Sequence, residues 1–473
     1  MARRSPGTPC IGMTSQRDNT MNTISQSTTI LRELGDGLVM RRSTPADADA
    51  LSEFNSRLHS DFGPDKPDER IGAWVNDLLA RPHPTFDPGD FTLVEDTRTG
   101  QIVSSLNLIS QTWSYAGIPF GVGRPEVVGT LVDYRKRGLV RRQFEEIHTW
   151  SQERGQMLQA ITGIPNYYRQ FGYEMAIDIH GGRLGYEAQL PQLKSDENEA
   201  YNIRPAEEGD IPFIMQVTAH GNRRSLVTCV RDENAWRYEL LGMSPKNVNR
   251  GEIRIIQNTA DEPVGYLIHP WFNWETASSM TLFLTAYELK PGISWLAVTP
   301  SVARYLWKTS GEYAIGSEKP RQSYAFWLGL SHPAYEVFRE KMPRQRDPYA
   351  FFLRIPDLVG FVRHIRPALE MRLAESELVV GYSGTLSLNF YRSGLKLTIE
   401  SGRMTGVENF TPDSSQDGDA GFPDLTFTQL LFGYRSFEEL QLSFADCWEK
   451  NDEAHLLLDV LFPKQPSFVL PLA

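Results

Sequence analysis

The sequence predicts a mixed α+β protein of about three domains, and three observations carry this prediction. The chain has 473 residues, which is more than one ordinary hydrophobic core accommodates. Period-two apolar patterns, typical of strands, alternate with apolar patterns of helical spacing along most of its length. A strand followed by a proline and an acidic helix start occurs near residue 40 and again about 160 residues later. We therefore expect a duplicated α+β unit followed by a third domain.

The composition is that of a globular protein, with a formal net charge of −11. This acidic balance argues against nucleic acid as a partner, because neutralising phosphates requires a broad basic face. No stretch approaches the roughly 18 apolar residues of a membrane span, so we expect a cytoplasmic protein without membrane contact. The cysteines, Cys10, Cys229 and Cys447, lie far apart, which predicts free thiols and no zinc cluster.

The N-terminal part divides into a leader and a first domain. Residues 1–34 are polar and lack the apolar core of a signal peptide, which predicts a disordered leader with Met13 or Met21 as alternative starts. Residues 35–195 form the predicted first domain. Its patterns are a strand and a proline-started helix over residues 38–58, a hairpin over 91–110, a strand over 126–132, a helix over 138–155 and a return strand over 157–164.

The predicted second and third domains cover residues 196–345 and 346–473. The second repeats the strand and helix order of the first but lacks its cluster of cations, so we expect a degenerate copy. The third combines a helix over residues 357–373, expected to break at Pro367, with alternating strands that turn near Gly394 and Gly402. It is predicted to be an α+β domain.

The stretch "LVDYRKRGLVRR", residues 131–142, concentrates five cations around Gly138 directly after an apolar strand. A strand, a glycine turn and a helix with a basic first turn together form an anion site, because free N–H groups and the helix dipole point at one spot. The alternative is a solvated basic helix face. The spacing matches neither the triphosphate loop nor the dinucleotide fingerprint. The cations are Arg135, Lys136, Arg137, Arg141 and Arg142.

The segment "VVGTLVDYRKRGLVRR" resembles the acetyl-CoA motif of the GNAT N-acetyltransferases, Arg/Gln-x-x-Gly-x-Gly/Ala, read here from Arg135 to Val140. The motif ends in a small residue, whereas this chain has Val140 at that position. The "RRRGLLR" version of Eis-like enzymes departs from the motif at the same position. "ITGIPNYYRQFGYE" resembles the second half of the family motif. The resemblance implies two tandem GNAT-fold domains, the second degenerate, followed by a sterol-carrier-protein-2-like domain.

The resemblance also implies a function. We expect transfer of acetyl from acetyl-CoA to a primary amine of a cationic acceptor, such as a lysine side chain, a polyamine or an aminoglycoside-like compound. The resemblance implies neither a metal nor a nucleic-acid partner. It does imply a homo-oligomer, which is a hexamer in Eis-like relatives. The residues implied to bind the cofactor are Val128, Gly129, Thr130, Arg135, Lys136, Arg137, Gly138, Leu139, Val140, Arg141, Gly163 and Ile164.

Tyr168, three residues before Phe171-Gly172-Tyr173, matches the family's general acid, which protonates the departing thiolate. An unperturbed phenol with a pKa of about 10 would serve. In Eis-like enzymes the C-terminal carboxylate acts as the base, which here implies Ala473. A water chain, His148 or His180 are the alternatives, although the glutamates beside His148 favour a surface position for it.

A second function class stays open on sequence alone. The first domain could hold acyl-CoA as a sensor while the third carries lipid, without catalysis. The segment "LTFTQLLFGYRSF" could line a lipid tunnel, but apolar helices of this kind more often form core. Tyr168 next to the basic turn favours the enzyme.

Overall fold

The computed structural model describes residues 29–61 and 63–473. Most of the expected leader, including Cys10, Met13 and Met21, lies outside these residues. The expectation that the leader reaches residue 34 is wrong, because Ile30–Gly35 is a strand that pairs antiparallel with Leu38–Arg42. Its Leu31 and Leu34 pack against an apolar cluster of the first domain, which explains why the segment is ordered.

The predicted mixed α+β class is confirmed. Within the described residues no helix has the length and apolarity needed to cross a membrane. The described residues contain eleven α helices: α1 (Ala48–Leu58), α2 (Glu69–Ala80), α3 (Leu139–Glu153), α4 (Ile211–Asn222), α5 (Glu233–Arg237), α6 (Trp295–Tyr313), α7 (Pro333–Phe338), α8 (Leu358–Glu375), α9 (Phe427–Leu431), α10 (Phe437–Ser443) and α11 (Asp452–Leu461).

The strands are distributed over four sheets. In chain order they are β1 (Ile30–Gly35), β2 (Leu38–Arg42), β3 (Phe91–Asp96), β4 (Gln101–Tyr115), β5 (Ile118–Thr130), β6 (Leu158–Ile161), β7 (Glu174–Ile179), β8 (Gly182–Tyr186), β9 (Asn202–Pro205), β10 (Val227–Val230), β11 (Gly251–Gln257), β12 (Pro263–Pro270), β13 (Trp274–Glu275), β14 (Met280–Leu284), β15 (Ala286–Leu289), β16 (Arg321–Phe326), β17 (Arg344–Arg346), β18 (Tyr349–Arg354), β19 (Gly384–Asn389), β20 (Gly394–Glu400), β21 (Arg403–Phe410), β22 (Ala420–Gly421) and β23 (Trp448–Glu449).

The first sheet has the order β1-β2-β3-β4-β5-β6-β18-β7, and β10 pairs with β4. Helices α1 and α2 cover one face, where Leu51 and Leu78 meet Phe91 in a buried cluster. Helix α3 covers the other face through Phe144 and Trp150. Both faces of the sheet are apolar, and helices cover each of them. The ends of β5 and β6 therefore lie between α1 and α2 on one side and α3 on the other.

The next two sheets belong to the middle of the chain. One has the order β15-β12-β11-β9 and the other β13-β14-β16-β8-β17. Helix α6 starts at the N-cap Ser294, whose side chain accepts a hydrogen bond from the Ala297 amide, and no cation cluster surrounds it. This start differs from that of α3, which Gly138 caps without a side chain, and the degenerate second copy stays a prediction.

The sheets do not separate at the predicted boundaries. Strand β8 lies before residue 195 but pairs with β16 and β17 of the middle sheet. Strand β18 lies after residue 345 but is inserted between β6 and β7 of the first sheet. The sheets therefore take strands from both sides of the predicted boundaries, because pairing depends on which strand edges meet in the folded chain and not on their order along it.

The last sheet, β21-β20-β19-β22-β23, packs on α8 and α11. Helix α8 runs through Pro367 without ending, so the expected break is wrong. Proline removes one N–H donor, but Phe361, Ile365 and Leu369 are fully buried on both sides of it. This packing holds the two halves of the helix in one line.

Candidate active site

The turn between β5 and α3 gathers free backbone N–H groups. Gly138 is the N-cap of α3 with φ +74°, and Lys136 has φ +61°. A Cβ at Gly138 would meet open space, so it is the left-handed backbone, and not crowding, that favours glycine there. No side chain caps this helix of 15 residues. Its first-turn N–H groups are thus available to an anion.

The cations of the turn carry uncompensated charge. Arg135 Nε donates to the Thr130 carbonyl at 3.2 Å, and Arg141 Nη2 donates to Gln170 Oε1 at 2.8 Å. Both partners are neutral, and among residues 29–61 and 63–473 no carboxylate forms a salt bridge with any of the five cations. Positive charge, dipole and N–H groups therefore act together, which favours the anion site over a simple solvated face.

A cleft of about 840 Å³ opens at this turn. It brings together all but two of the sequence-predicted site residues. The residues that line it are Val128, Gly129, Thr130, Arg135, Lys136, Gly138, Leu139, Val140, Arg141, Gly163, Ile164 and Tyr168.

Arg137 and Ala473 do not line this cleft. The guanidinium of Arg137 lies 4.9 Å from the centre of the Tyr134 ring, and its Nη2 donates to the Asp133 carbonyl at 3.1 Å. The side chain is thereby directed along the preceding turn, and its role in binding the cofactor stays a prediction. Ala473 lies in a neighbouring cavity, described below.

The cleft penetrates the sheet where β5 and β6 diverge. These strands, both wholly described, are paired only at Val122–Leu158 and Gly123–Gln159. Their last residues therefore leave backbone groups free of strand pairing on the facing edges. A CoA pantetheine arm could lie along such an edge and bond to it as an added strand would.

A β-bulge shapes the free edge of β5. Glu126 pairs with Asn107 and Gly129 pairs with Ser105, so β5 carries one extra residue between these pairs. Val127 in the bulge has φ +45°, which is unusual for a β-branched residue. A Cβ at Gly129 would clash with the Leu58 side chain of α1, so a larger residue there would require that side chain to move. Such strain in a cleft is typical of a functional position.

Tyr168 stands between β6 and α3 with 3% of its surface exposed. A Cβ at Gly163 would lie 3.8 Å from its hydroxyl oxygen, which places the hydroxyl at the end of β6. Burial raises the pKa of Tyr168, and the Glu126 carboxylate raises it further. The expectation of an unperturbed phenol is therefore wrong. The hydroxyl stays protonated at neutral pH, as a proton donor must.

A second cavity of about 450 Å³ adjoins the cleft. Trp74, Glu126 and Thr162 line both spaces, so they form a common wall at the bulge. The second cavity extends between the first sheet and the middle sheets, and the chain's last residues line it as well. Two binding spaces that meet at the divergent strands suit a reaction between two substrates.

The C-terminal segment reaches this cavity along a defined path. The Phe468 amide donates to the Val227 carbonyl at 3.1 Å, and Arg231 Nη2 donates to the Leu470 carbonyl at 2.7 Å. Arg124 Nη1 donates to the Leu472 carbonyl at 3.0 Å. Finally, the Ala473 oxygen lies 3.3 Å from His83 Nε2. Ala473 is thus held in the second cavity, beside the common wall.

The common wall includes a carboxylate that the sequence analysis missed. Glu126 lies at the start of the bulge and forms an ion pair with Arg124. Burial raises the pKa of Glu126, while the arginine opposes this shift. The signal in the sequence was a carboxylate four residues before Thr130, next to apolar residues of the strand, because a charged side chain at such a position often faces a site. It tethers Arg124 and through it the C-terminal segment.

The two histidines considered as bases differ in position. His148 is half-buried, not on the surface as expected, and its Nε2 lies 2.8 Å from the Tyr173 hydroxyl. Burial lowers the pKa of His148 to about 3, and it lines neither space. His180 lines the second cavity, where burial and the charge of Arg346 lower its pKa to about 4. Both are neutral at physiological pH and weak as bases.

Comparison with known proteins gives the family of the first domain. Residues 42–176 match the family model of the acetyltransferase (GNAT) domain. That match spans the bulge, the basic turn, α3 and Tyr168. No curated protein matches the sequence.

Several solved structures share the fold at low identity. A probable N-acyltransferase from Enterococcus faecalis V583 has 16% identity and a TM-score of 0.61, covering 92% of this chain and 100% of its own. A GCN5-related N-acetyltransferase from Kribbella flavida has 16% identity and a TM-score of 0.60, covering 92% and 98%. Eis1 from Mycobacterium abscessus has 11% identity and a TM-score of 0.50, covering 91% and 98%. The solved structures show a shared fold over most of the chain, and the family match makes residues 42–176 a GNAT acetyltransferase domain, which marks the protein as an acyltransferase.

Proposed function

We propose that this acyltransferase moves an acetyl group from acetyl-CoA to a primary amine by direct attack in a ternary complex. One observation carries the proposal: the cleft with the anion turn and the second cavity share the wall of Trp74, Glu126 and Thr162. A donor in the first space and an acceptor in the second would meet at the bulge. Direct attack needs both substrates bound together, and this geometry supports it.

The donor side is assigned as follows. The pyrophosphate binds the turn from Arg135 to Arg141, where the cations and the N–H groups of α3 lie together. Gly163 and Ile164 line the opposite side of the cleft. The backbone of Val128 to Thr130 holds the pantetheine arm and polarises the thioester carbonyl. Preorganised N–H donors of this kind stabilise the tetrahedral oxyanion, and this stabilisation usually accelerates acyl transfer more than any other single effect.

The leaving thiolate receives its proton from Tyr168. The buried hydroxyl lies at the end of β6, beside Gly163, on the cleft side of the sheet. Tyr349 of β18 donates to the Gly163 carbonyl at 3.0 Å and so fixes that strand end. Because the site is shielded from water, the pKa of a thiolate formed there would also rise, which keeps the transfer from the phenol feasible.

The amine's proton passes to the carboxylate of Ala473. This residue is held in the second cavity by the contacts of Leu470 and Leu472. His83, whose pKa burial lowers to about 4, is neutral and can donate Nε2–H to the Ala473 oxygen. Such a bond favours the ionised carboxylate, as a general base requires. Appending one glycine after Ala473 should lower turnover strongly, whereas Ala473→Gly should keep it.

The acceptor carries a primary amine, which is cationic at neutral pH. Association of the chain into a homohexamer remains a proposal from the family resemblance, and light scattering of the purified protein measures it. The alternative, an acyl-CoA or lipid carrier without catalysis, has no specific support. The apolar side chains of α9, such as Leu430 and Leu431, are fully buried in the core of the last domain.

The test is amine-dependent release of the CoA thiol. The purified protein is mixed with acetyl-CoA and a panel of primary amines, and the product is checked for one added acetyl group by mass spectrometry. We expect thiol release only with an amine present. Tight acetyl-CoA binding in calorimetry without turnover of any amine would instead favour the carrier.

A further inference from the structure

Aromatic side chains form part of the walls of the second cavity. Six aromatic side chains line it: Trp74, Phe272, Trp274, Phe283, Trp327 and Phe468. The rings of Phe283 and Trp327 are stacked at 3.6 Å, and Trp274 meets Trp327 edge-on at 6.3 Å. Flat, apolar walls of this kind bind a flat, apolar ligand body, because burial and ring–ring contacts both favour it.

The acidic side chains of this cavity are already neutralised. Glu126 is paired with Arg124, and Glu239 is paired with Arg231 at 3.0 Å. These are the side-chain carboxylates among the described residues that line the space. An acceptor with several ammonium groups would lose water from each of them without gaining a free side-chain carboxylate. The cost of leaving a buried charge unpaired disfavours such polycations.

One cation of the cavity lacks an anionic partner. Arg346, at the end of β17, is exposed like the rest of that strand, and its Cζ lies 4.1 Å from the centre of the Trp327 ring. No carboxylate in residues 29–61 or 63–473 forms a salt bridge with it, and partial burial lowers its pKa. Its neighbour His180 is neutral. An anionic group of a ligand would complete a charge-assisted pair with this guanidinium.

Two hydrogen-bond donors of the walls are also unsatisfied. The indole N–H groups of Trp74 and Trp327 are buried and have no partner among the described residues. Their rings are 9% and 5% exposed, respectively. Buried donors normally have an acceptor, so these two side chains mark a part of the wall where polar groups are not satisfied within the described residues.

We propose that the acceptor is an arylalkylamine that carries an acidic group, with its ring between the tryptophans and its anion at Arg346. This inference rests on the proposed function and names the substrate class of the same site. The amine end reaches the common wall, where Trp74 belongs to both spaces, and meets the thioester there. In the reaction, the amine nitrogen forms the new C–N bond and gives its proton to the Ala473 carboxylate, while the C–S bond breaks and the thiolate takes a proton from Tyr168.

The experiment compares matched amines with the full chain and acetyl-CoA. The panel contains 4-(2-aminoethyl)benzoic acid, 2-phenylethylamine, butylamine, spermidine and kanamycin, and thiol release gives kcat/KM for each. We expect the benzoic acid derivative to exceed 2-phenylethylamine by about tenfold, the scale of one charged hydrogen-bonded pair. Both aromatic amines should exceed butylamine, and the two polycations should be poorest.

A pair of variants tests the role of the arginine. Arg346→Gln should lower the preference for the benzoic acid derivative over 2-phenylethylamine about tenfold. Arg344→Gln is the matched control, because Arg344 lies on the same strand and is exposed like Arg346 but does not line the cavity. It should leave this preference unchanged. Acetyl-CoA affinity, measured by calorimetry, shows that both variants are folded.

The outcomes are distinguishable. The inference is overturned if kanamycin or spermidine has a higher kcat/KM than the aromatic amines. It is also overturned if Arg346→Gln and the parent prefer the benzoic acid derivative over 2-phenylethylamine equally. Both results leave the proposed acetyl transfer intact. Turnover of butylamine equal to that of the aromatic amines also overturns it. If acetyl-CoA binds and none of a broad set of amines is turned over, the proposed function itself is wrong.

Discussion

Replacing Tyr168 with phenylalanine isolates one hydroxyl. The ring packs against Tyr167, Phe352 and Phe144, with centroid distances of 5.4, 5.6 and 6.0 Å, and phenylalanine keeps these contacts. The hydroxyl has a backbone hydrogen bond with Ile164. Its loss should therefore cost about 1 kcal/mol of unfolding free energy. Folding of the variant should be almost unaffected.

The effect on the rate should be much larger. Without a positioned proton donor the thiolate departs unprotonated, and a loss of about a hundredfold corresponds to about 2.7 kcal/mol in the barrier. The KM for acetyl-CoA should change little, since the hydroxyl acts as the thiolate forms. Because the pKa of Tyr168 is raised, the parent enzyme should show no loss of rate from its ionisation below about pH 10.

The assay is single-turnover acetyl transfer with saturating amine, combined with thermal unfolding. Tyr167→Phe is the control, because Tyr167 lines the same cleft and its hydroxyl has no assigned role. It should change the rate little. A Tyr168→Phe enzyme with the parent's single-turnover rate would refute the reasoning, and lower stability with normal turnover would assign Tyr168 to packing alone.

Three further changes test the anion turn, the strand exchange and a buried histidine. Gly138→Glu should abolish acetyl-CoA binding in calorimetry, while Gly138→Ala, which meets open space, should keep most of it; a stoichiometry of two per chain would contradict a single site. A chain truncated after Gln345 should fail to unfold cooperatively, because it lacks strand Tyr349–Arg354 from inside the first sheet; a soluble, acetyl-CoA-binding product would contradict this. Burial lowers the pKa of His269 to about 4 in the folded chain, so His269 binds more protons when the chain is unfolded. The free energy of unfolding should therefore fall as the pH is lowered from about 6.5 towards 4. His269→Gln should flatten that fall by up to about 1.4 kcal/mol per pH unit in denaturant titrations, and an unchanged slope would contradict the assignment.

The anion turn could be predicted from the sequence because its determinants are local. A glycine that takes φ +74°, an apolar strand before it and an amphipathic helix after it all lie within a few turns of chain. Helix α3 begins at Leu139 and ends before Gly155, as the pattern predicts. The gathering of most of the predicted cofactor residues in one cleft could be expected for the same reason, since they flank this one turn or the next strand end.

The second cavity, the proposed acceptor side, could not be predicted in this way. The second cavity takes walls from residues as distant as Trp74, Trp327 and Ala473. Its form depends on strand β8 joining the middle sheet and β18 joining the first. Periodicity predicts that a segment is a strand but not which strand it pairs with. Any strand edge offers the same row of backbone donors and acceptors, so the pairing partner is not encoded in the local pattern.

The sequence by itself therefore determined the class of the fold, the elements and the anion turn, because propensity, periodicity and glycine conformation act over short range. Only the tertiary structure decided the exchange of strands, the burial that raises the pKa of Tyr168 and the joining of the two spaces at Glu126. Those features depend on which surfaces exclude water together, and that is a property of the whole packed chain.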